Sequence, residues 1–86
     1  MPSTDFARLF GQVVRKHRKA RYLTQEELAE QADLAPKMIL LIERLKINPT
    51  LNAADSIAQA LKVPFWRLIK DVENLRLEMR AAKKRK

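Results

Sequence analysis

The side chains of this 86-residue chain that could do chemistry are mostly cations, and they are clustered. Residues 15–21, RKHRKAR, hold five Lys/Arg and no acid; residues 76–86, RLEMRAAKKRK, hold six and one acid. These two segments carry more than the whole net charge of +8, so the rest of the chain is slightly acidic. Cations gathered at two places suit a polyanion, nucleic acid before membrane. Such runs also occur as plain solvated helix faces and solubilising tails. The catalytic inventory is thin. His17 lies among basic residues, with no Ser or Cys nucleophile set beside it by any motif. Glu26 and Glu27 are helix neighbours on different faces, which fits a cap and a solvated charge better than a paired acid and base. The one glycine, Gly11, cannot build a glycine-rich phosphate loop. With no cysteine and one histidine, disulfides and a thiolate zinc site are excluded. No enzyme activity, cofactor or metal is expected.

Those cations must be held by helices. A chain this short makes one domain and has little core to spare, so without disulfide or metal it needs well-packed helices or a second subunit. One glycine and four prolines are few for a β-rich protein, and Ala, Leu, Lys, Arg, Glu and Gln favour helix. No apolar run approaches the ~18 residues that span a bilayer. The start, MPSTDFARLF, lacks the layout of a secretory signal. An all-α, cytoplasmic protein with no membrane partner is expected.

Five helices can be placed. The first begins near Ser3 or Thr4, carries an apolar stripe of Phe6, Leu9, Phe10, Val13, Val14 and His17, and breaks at RYLT. The second begins at TQEEL, where Thr24 and Glu27 form a capping box, and turns Leu28, Ala29 and Ala32 inward. Pro36 suits the first position of the third helix, which Asn48-Pro49 stops. The fourth shows Leu51, Ala54, Ile57, Ala58 and Leu61 at helical spacing, and Pro64 opens the fifth. The final KKRK is expected to fray.

The order of these pieces resembles the phage repressor and Cro family of helix-turn-helix domains, the xenobiotic-response-element type. The stretch GQVVRKHRKARYLTQEELAEQADLAPKMILLIERLKINPTL follows the family pattern through three helices, and IAQALKVP through the fourth. The resemblance covers roughly residues 10 to 68, with LTQEELAE, IER and NPT its most specific parts. It implies a five-helix, lambda-repressor-like DNA-binding domain over 1–68, with the motif at about 25–44, and a C-terminal helix extended over 69–86. Within the motif Leu28, Ala32, Leu34, Ile39 and Ile42 are apolar, as two helices crossing over one small core require, and Ala29 is small enough for close approach. The resemblance also implies a structural ion pair between Arg18 and Glu43. It places Gln25 at a helix start, where it touches DNA and braces the recognition helix.

The third helix departs from that pattern. At about 100° per residue, Ala35, Met38, Ile39, Ile42 and Leu45 share the inward stripe. The opposite face holds Lys37, Leu40 and Arg44, flanked by Pro36 and Leu41. In similar repressors the base-reading positions are those of Pro36, Lys37 and Leu41. Only the lysine can donate a hydrogen bond, and it suits guanine O6 and N7. Base readout should be thin, with affinity coming mainly from phosphates. Lys46 and Asn48, then Arg15 and Lys19, are the expected phosphate contacts, making binding steeply salt-dependent. Three further positions lack the family's residue. Ala35 replaces a capping side chain, a loss of about 1 kcal/mol. Asp33 replaces a turn glycine, and Leu45 another, so the third helix is expected to run on by a turn.

In the last helix Leu68, Val72, Leu75, Met79 and Ala82 are spaced like a short dimerisation seam, while Phe65, Trp66 and Ile69 are expected in the core. A dimer suits a two-fold operator with half-sites about one turn of DNA apart. The expectation is a sequence-specific regulator, a repressor or autoregulator, binding double-stranded DNA as a homodimer, with no sensor domain and control through dimer concentration or a partner. The rival reading is a protein-interaction module on a degenerate motif, an antitoxin or anti-repressor, with its partner on Leu40, Leu41 and Ile47. An engineered recognition surface would look the same.

Overall fold

A computed structural model describes residues 3–44 and 47–84, with side chains described over 6–44 and 47–82. It contains α1 (Ser3–Ala20), α2 (Gln25–Ala32), α3 (Pro36–Glu43), α4 (Leu51–Ala60) and α5 (Phe65–Lys84). α1 packs against α3 and α5, α2 against α3 and α4, and α4 against α5. No described helix is long and apolar enough to cross a membrane.

The core is the meeting of amphipathic stripes. Leu9, Phe10, Val13 and Val14 of α1 pack with Leu28, Ala29 and Ala32 of α2 and with Ile39 and Ile42 of α3. Ile57, Ala58 and Leu61 close it from the α4 side, and Leu68 and Val72 from α5. Phe6 stacks on Phe10 at 6.2 Å between centroids, and the Arg76 guanidinium lies 5.9 Å above the Phe6 ring, tying the start of α1 to α5. In the last turn of α1, His17 Nε2 is 2.7 Å from Asp71 Oδ2 of α5.

Three helices end in the same way. Tyr22, Asp33 and Lys62 have φ of 59°, 58° and 63°, the left-handed region. The residue after each donates its N–H five residues back: Leu23 to Arg18 O, Leu34 to Ala29 O and Val63 to Ala58 O. This is the Schellman closure, and its apolar partner is present each time, since Leu23, Leu34 and Val63 pack against the core. Glycine normally takes the left-handed place because a Cβ costs about 1–2 kcal/mol there. Here the single glycine lies inside α1 and the three turns use other residues.

Several expected core positions lie elsewhere. Trp66 is 61% exposed because it sits about 200° around α5 from Leu68, which is fully buried. Leu51, at the first position of α4, is 78% exposed, because a helical side chain leans over the turn before its own Cα and here no helical turn precedes it. Ala35 is exposed, since it caps α3 from outside the helix and does not share its stripe. The α5 seam also changes: Leu68 and Val72 are fully buried in the protomer's own core, leaving no surface for a second copy, while Leu75 is half-buried against that core. Met79 and Ala82 remain exposed. The last described helical residue of α3 is Glu43, and the turn expected beyond it falls on Leu45 and Lys46, which lie outside the described residues.

Candidate nucleic-acid interface

α2 starts from a complete capping box. Thr24 Oγ1 accepts from the Glu27 N–H at 3.0 Å, and Glu27 Oε1 accepts from the Thr24 N–H at 2.9 Å. This fixes where Gln25 emerges. α3 starts differently: Ala35 has the extended backbone of a cap but no side-chain bond to give, and Pro36 follows at the first turn.

What holds α3 in place is a buried polar bracket. Arg18 Nε donates to Glu43 Oε2 at 2.7 Å and its Nη2 to Glu43 Oε1 at 3.0 Å, a forked contact; Nη1 donates to Leu23 O at 2.7 Å. The two side chains are 10% and 3% exposed. Gln25 Nε2 donates to Glu43 Oε1 at 3.0 Å, so one carboxylate ties the end of α3 to α1 and to the first residue of α2. A charged pair this deep is tolerable because its hydrogen-bonding capacity is met. No described side-chain nitrogen or oxygen is buried without a partner.

Beside the bracket, Gln25, Pro36, Lys37 and Leu40 line one cleft of about 370 Å³, together with Thr24 and Glu26. Lys37 is exposed and Leu40 half-buried. Glu26 is exposed and lines the same cleft, and its carboxylate disfavours a phosphate beside it. Leu41 is half-buried and does not line the cleft, and Arg44 is exposed where α3 ends. Lys46 lies outside the described residues. Asn48 is exposed but lines a different, apolar groove. Arg15 and Lys19 are exposed along α1 and stand outside the cleft. Ile47 packs against the core, so with Leu40 and Leu41 half-buried these three make no open apolar patch.

Two further contacts differ in how far the sequence announces them. Thr50 caps α4 by accepting from the Ala53 N–H at 3.0 Å; a threonine before an apolar helical run is a readable cue. The His17–Asp71 pair spans 54 residues, and no local pattern announces it.

Residues 14–65 match the helix-turn-helix family. The chain belongs to that family. It is 42% identical over 53 residues to the immunity repressor protein of Bacillus phage phi105, covering 62% of this chain but only 37% of the repressor. It is 43% identical over 49 residues to an HTH-type transcriptional regulator of Methanothermobacter thermautotrophicus, covering 57% of this chain and 71% of that regulator. The fold resembles the restriction-modification controller protein C.AhdI from Aeromonas hydrophila: TM-score 0.70, 32% identity, 72% of this chain and 94% of that one. It also resembles the controller C.Esp1396I, seen as a tetramer on its natural 35 base-pair operator: TM-score 0.70, 31% identity, 78% of this chain and 93% of that one. The matched residues include the Arg18–Glu43–Gln25 bracket and the buried positions Leu28, Ala29, Ala32, Ile39 and Ile42.

Proposed function

We propose that this chain is a transcriptional repressor or autoregulator that binds a palindromic operator in the cytoplasm as a homodimer, laying α3 in the major groove. The observation that carries the reading is the cleft where Gln25, Pro36, Lys37 and Leu40 meet, beside a bracket that fixes α2 and α3 at one angle. Lys37 then reaches a guanine edge, while Leu40 and Pro36 offer only apolar contact, as with a thymine methyl. Gln25 keeps one amide N–H on Glu43, which leaves its other donor and its carbonyl free to meet a phosphate or base. Arg44, Lys46 and Asn48 grip the backbone past the helix, and Arg15 and Lys19 add long-range attraction. The immunity repressor and the operator-bound controller support this reading by similarity.

Selection from a random duplex pool at two salt concentrations tests it. The expected result is an enriched inverted repeat whose half-sites lie about one turn apart, about 10 base pairs centre to centre. Affinity should fall steeply with salt at the same preferred sequence. A pool in which no sequence is enriched, with binding lost at the higher salt, would overturn the operator reading.

A further inference from the structure

Of the three residues held in the left-handed region, Tyr22 is the one with a large ring, and it is 92% exposed. A glycine would take this turn without Cβ strain. The ring gives the protomer no packing, since it belongs neither to the buried core nor to the side chains laid against it. Its hydroxyl bonds to no other described residue. Bulky residues are rare in this conformation, and strain of this kind gathers at binding sites, where surrounding contacts hold it in place. Those contacts are present here. The Tyr22 N–H donates to Lys19 O at 3.0 Å, and the Leu23 N–H to Arg18 O at 3.1 Å. Leu23 O in turn accepts from Arg18 Nη1, and the same guanidinium forks to Glu43, which also takes Gln25 Nε2. The turn backbone is therefore fixed to the frame that fixes Gln25 and α3, while the ring stands free.

We infer that Tyr22 is a DNA-backbone contact, with its ring against the strand that flanks the half-site and its hydroxyl donating to a phosphate oxygen. The inference rests on the reading above, in which a duplex lies along α3, and adds to it a contact blind to sequence. Position is the first argument. Gln25 follows Tyr22 by three residues, at most about 11 Å of extended chain. The major groove is about 12 Å wide, and its walls are strands that carry one charge per ~1.7 Å of helix axis. With α3 in the groove and Gln25 at its edge, an uncovered ring within that reach meets the wall. Charge is the second argument. Tyr22 ends a run, residues 15–21, of five Lys/Arg and no acid. Its neighbours Lys19 and Arg21 are exposed, and no ion pair among the described residues engages either. A polyanion is drawn to this turn. Chemistry is the third. A phenol is a neutral O–H donor, which a phosphate oxygen accepts, and tyrosine is among the side chains that position proteins on the backbone in this way.

The test compares the wild type with Tyr22→Phe and Tyr22→Gly on two duplexes, one carrying the inverted repeat from the selection and one of unrelated sequence. Tyr22→Phe removes only the hydroxyl; Tyr22→Gly removes the ring and keeps a residue at ease in the left-handed turn. Tyr22→Phe should weaken binding to both duplexes by about fivefold and Tyr22→Gly by about tenfold or more. The preferred sequence should not change, nor should the salt slope, because no cation is lost. Phosphate ethylation interference gives the readout that a structural role would not move. One phosphate at the edge of each half-site should block wild-type binding when ethylated and cease to matter in Tyr22→Phe, while the other phosphates keep their effect. Loss of every interference signal together would mean a structural tyrosine and would overturn the contact. So would a loss of affinity confined to the operator duplex with an altered preferred base, since Tyr22 would then read a base. If the pool enriches no inverted repeat and both variants still lose affinity for the unrelated duplex, the contact stands and the operator reading falls. If an inverted repeat is enriched and both variants bind it like the wild type, the operator reading stands and this contact falls.

Discussion

The two helices of the motif reach their shape by opposite routes. α2 is specified by its own sequence at both ends: a capping box opens it and a Schellman turn at Asp33 closes it. α3, equally short at eight residues, has no side-chain cap at Ala35 and no left-handed residue at Arg44, whose φ is −88°. Eight residues form a marginal helix in water even with good caps. α3 therefore depends on what grips it from outside, the buried Ile39 and Ile42 and the fork from Arg18 to Glu43. Position in this short segment therefore comes from the scaffold, which leaves its outward residues, Pro36, Lys37 and Arg44, free to vary.

Arg18→Ala attacks the external grip directly. It leaves Glu43, 3% exposed, as a buried carboxylate with Gln25 as its remaining partner, so we expect a loss of about 3–5 kcal/mol in urea unfolding. Amide protection in α3 should fall before that in α2. A loss below about 1 kcal/mol, with α3 still protected, would show that α3 holds itself and would break the contrast.

Lys37→Ala examines the other side of the same helix. Lys37 is exposed, so unfolding free energy should change by less than about 0.5 kcal/mol. Operator binding should weaken by about 1–3 kcal/mol, with relaxed preference at a single base pair. A uniform loss across all sequences, with a shallower salt slope, would mean that Lys37 meets a phosphate and that α3 reads even less than the cleft suggests.

Ala35→Ser gives α3 the local start it lacks. Ala35 already has the cap backbone, φ −66° and ψ 141°, and is exposed, so a hydroxyl there costs nothing to accommodate. The gain should be about 1 kcal/mol by chemical denaturation. Combined with Arg18→Ala, the new cap should recover part of the lost α3 protection; no recovery would mean that the end of α3 and not its start limits its stability.

What the sequence made legible follows the same division. The capping box at Thr24 and Glu27, Pro36 at a helix start and the inward stripe of α1 rest on residues within a few positions of each other, and short-range rules read them. At the start of α4 and in the first half of α5, burial depends on which neighbours arrive, and spacing alone does not show it. Leu68 and Val72 have seam spacing, but α1 and α4 already cover them, and Leu51 has stripe spacing but no helical turn before it to lean on. In the cleft, residue types showed Lys37 and Leu40 facing outward, but only the fold brings Glu26 beside them. His17 and Asp71 meet because α1 and α5 cross, which one sequence does not encode locally.

The smallest expected effect lies on the well-specified side of the comparison and shows that it too carries strain. Tyr22 holds a left-handed turn, yet its side chain is 92% exposed and contributes little packing. The backbone closure it serves, Leu23 N–H to Arg18 O, belongs to the same Arg18 whose guanidinium binds Leu23 O, so the turn is pinned whatever the side chain. Tyr22→Gly removes a conformational cost of about 1–2 kcal/mol and adds back up to about 1 kcal/mol of unfolded-chain entropy. The expected net is a gain of about 0.5–1 kcal/mol, which for a domain of this size raises Tm by a few degrees, about 2–8 °C. Asp33→Gly should gain less, because aspartate tolerates this region better than most residues. A lower Tm for Tyr22→Gly would mean that the exposed ring makes up for its strain through a contact outside the protomer. The turn before α2 would then belong with the reading surface and not with the scaffold.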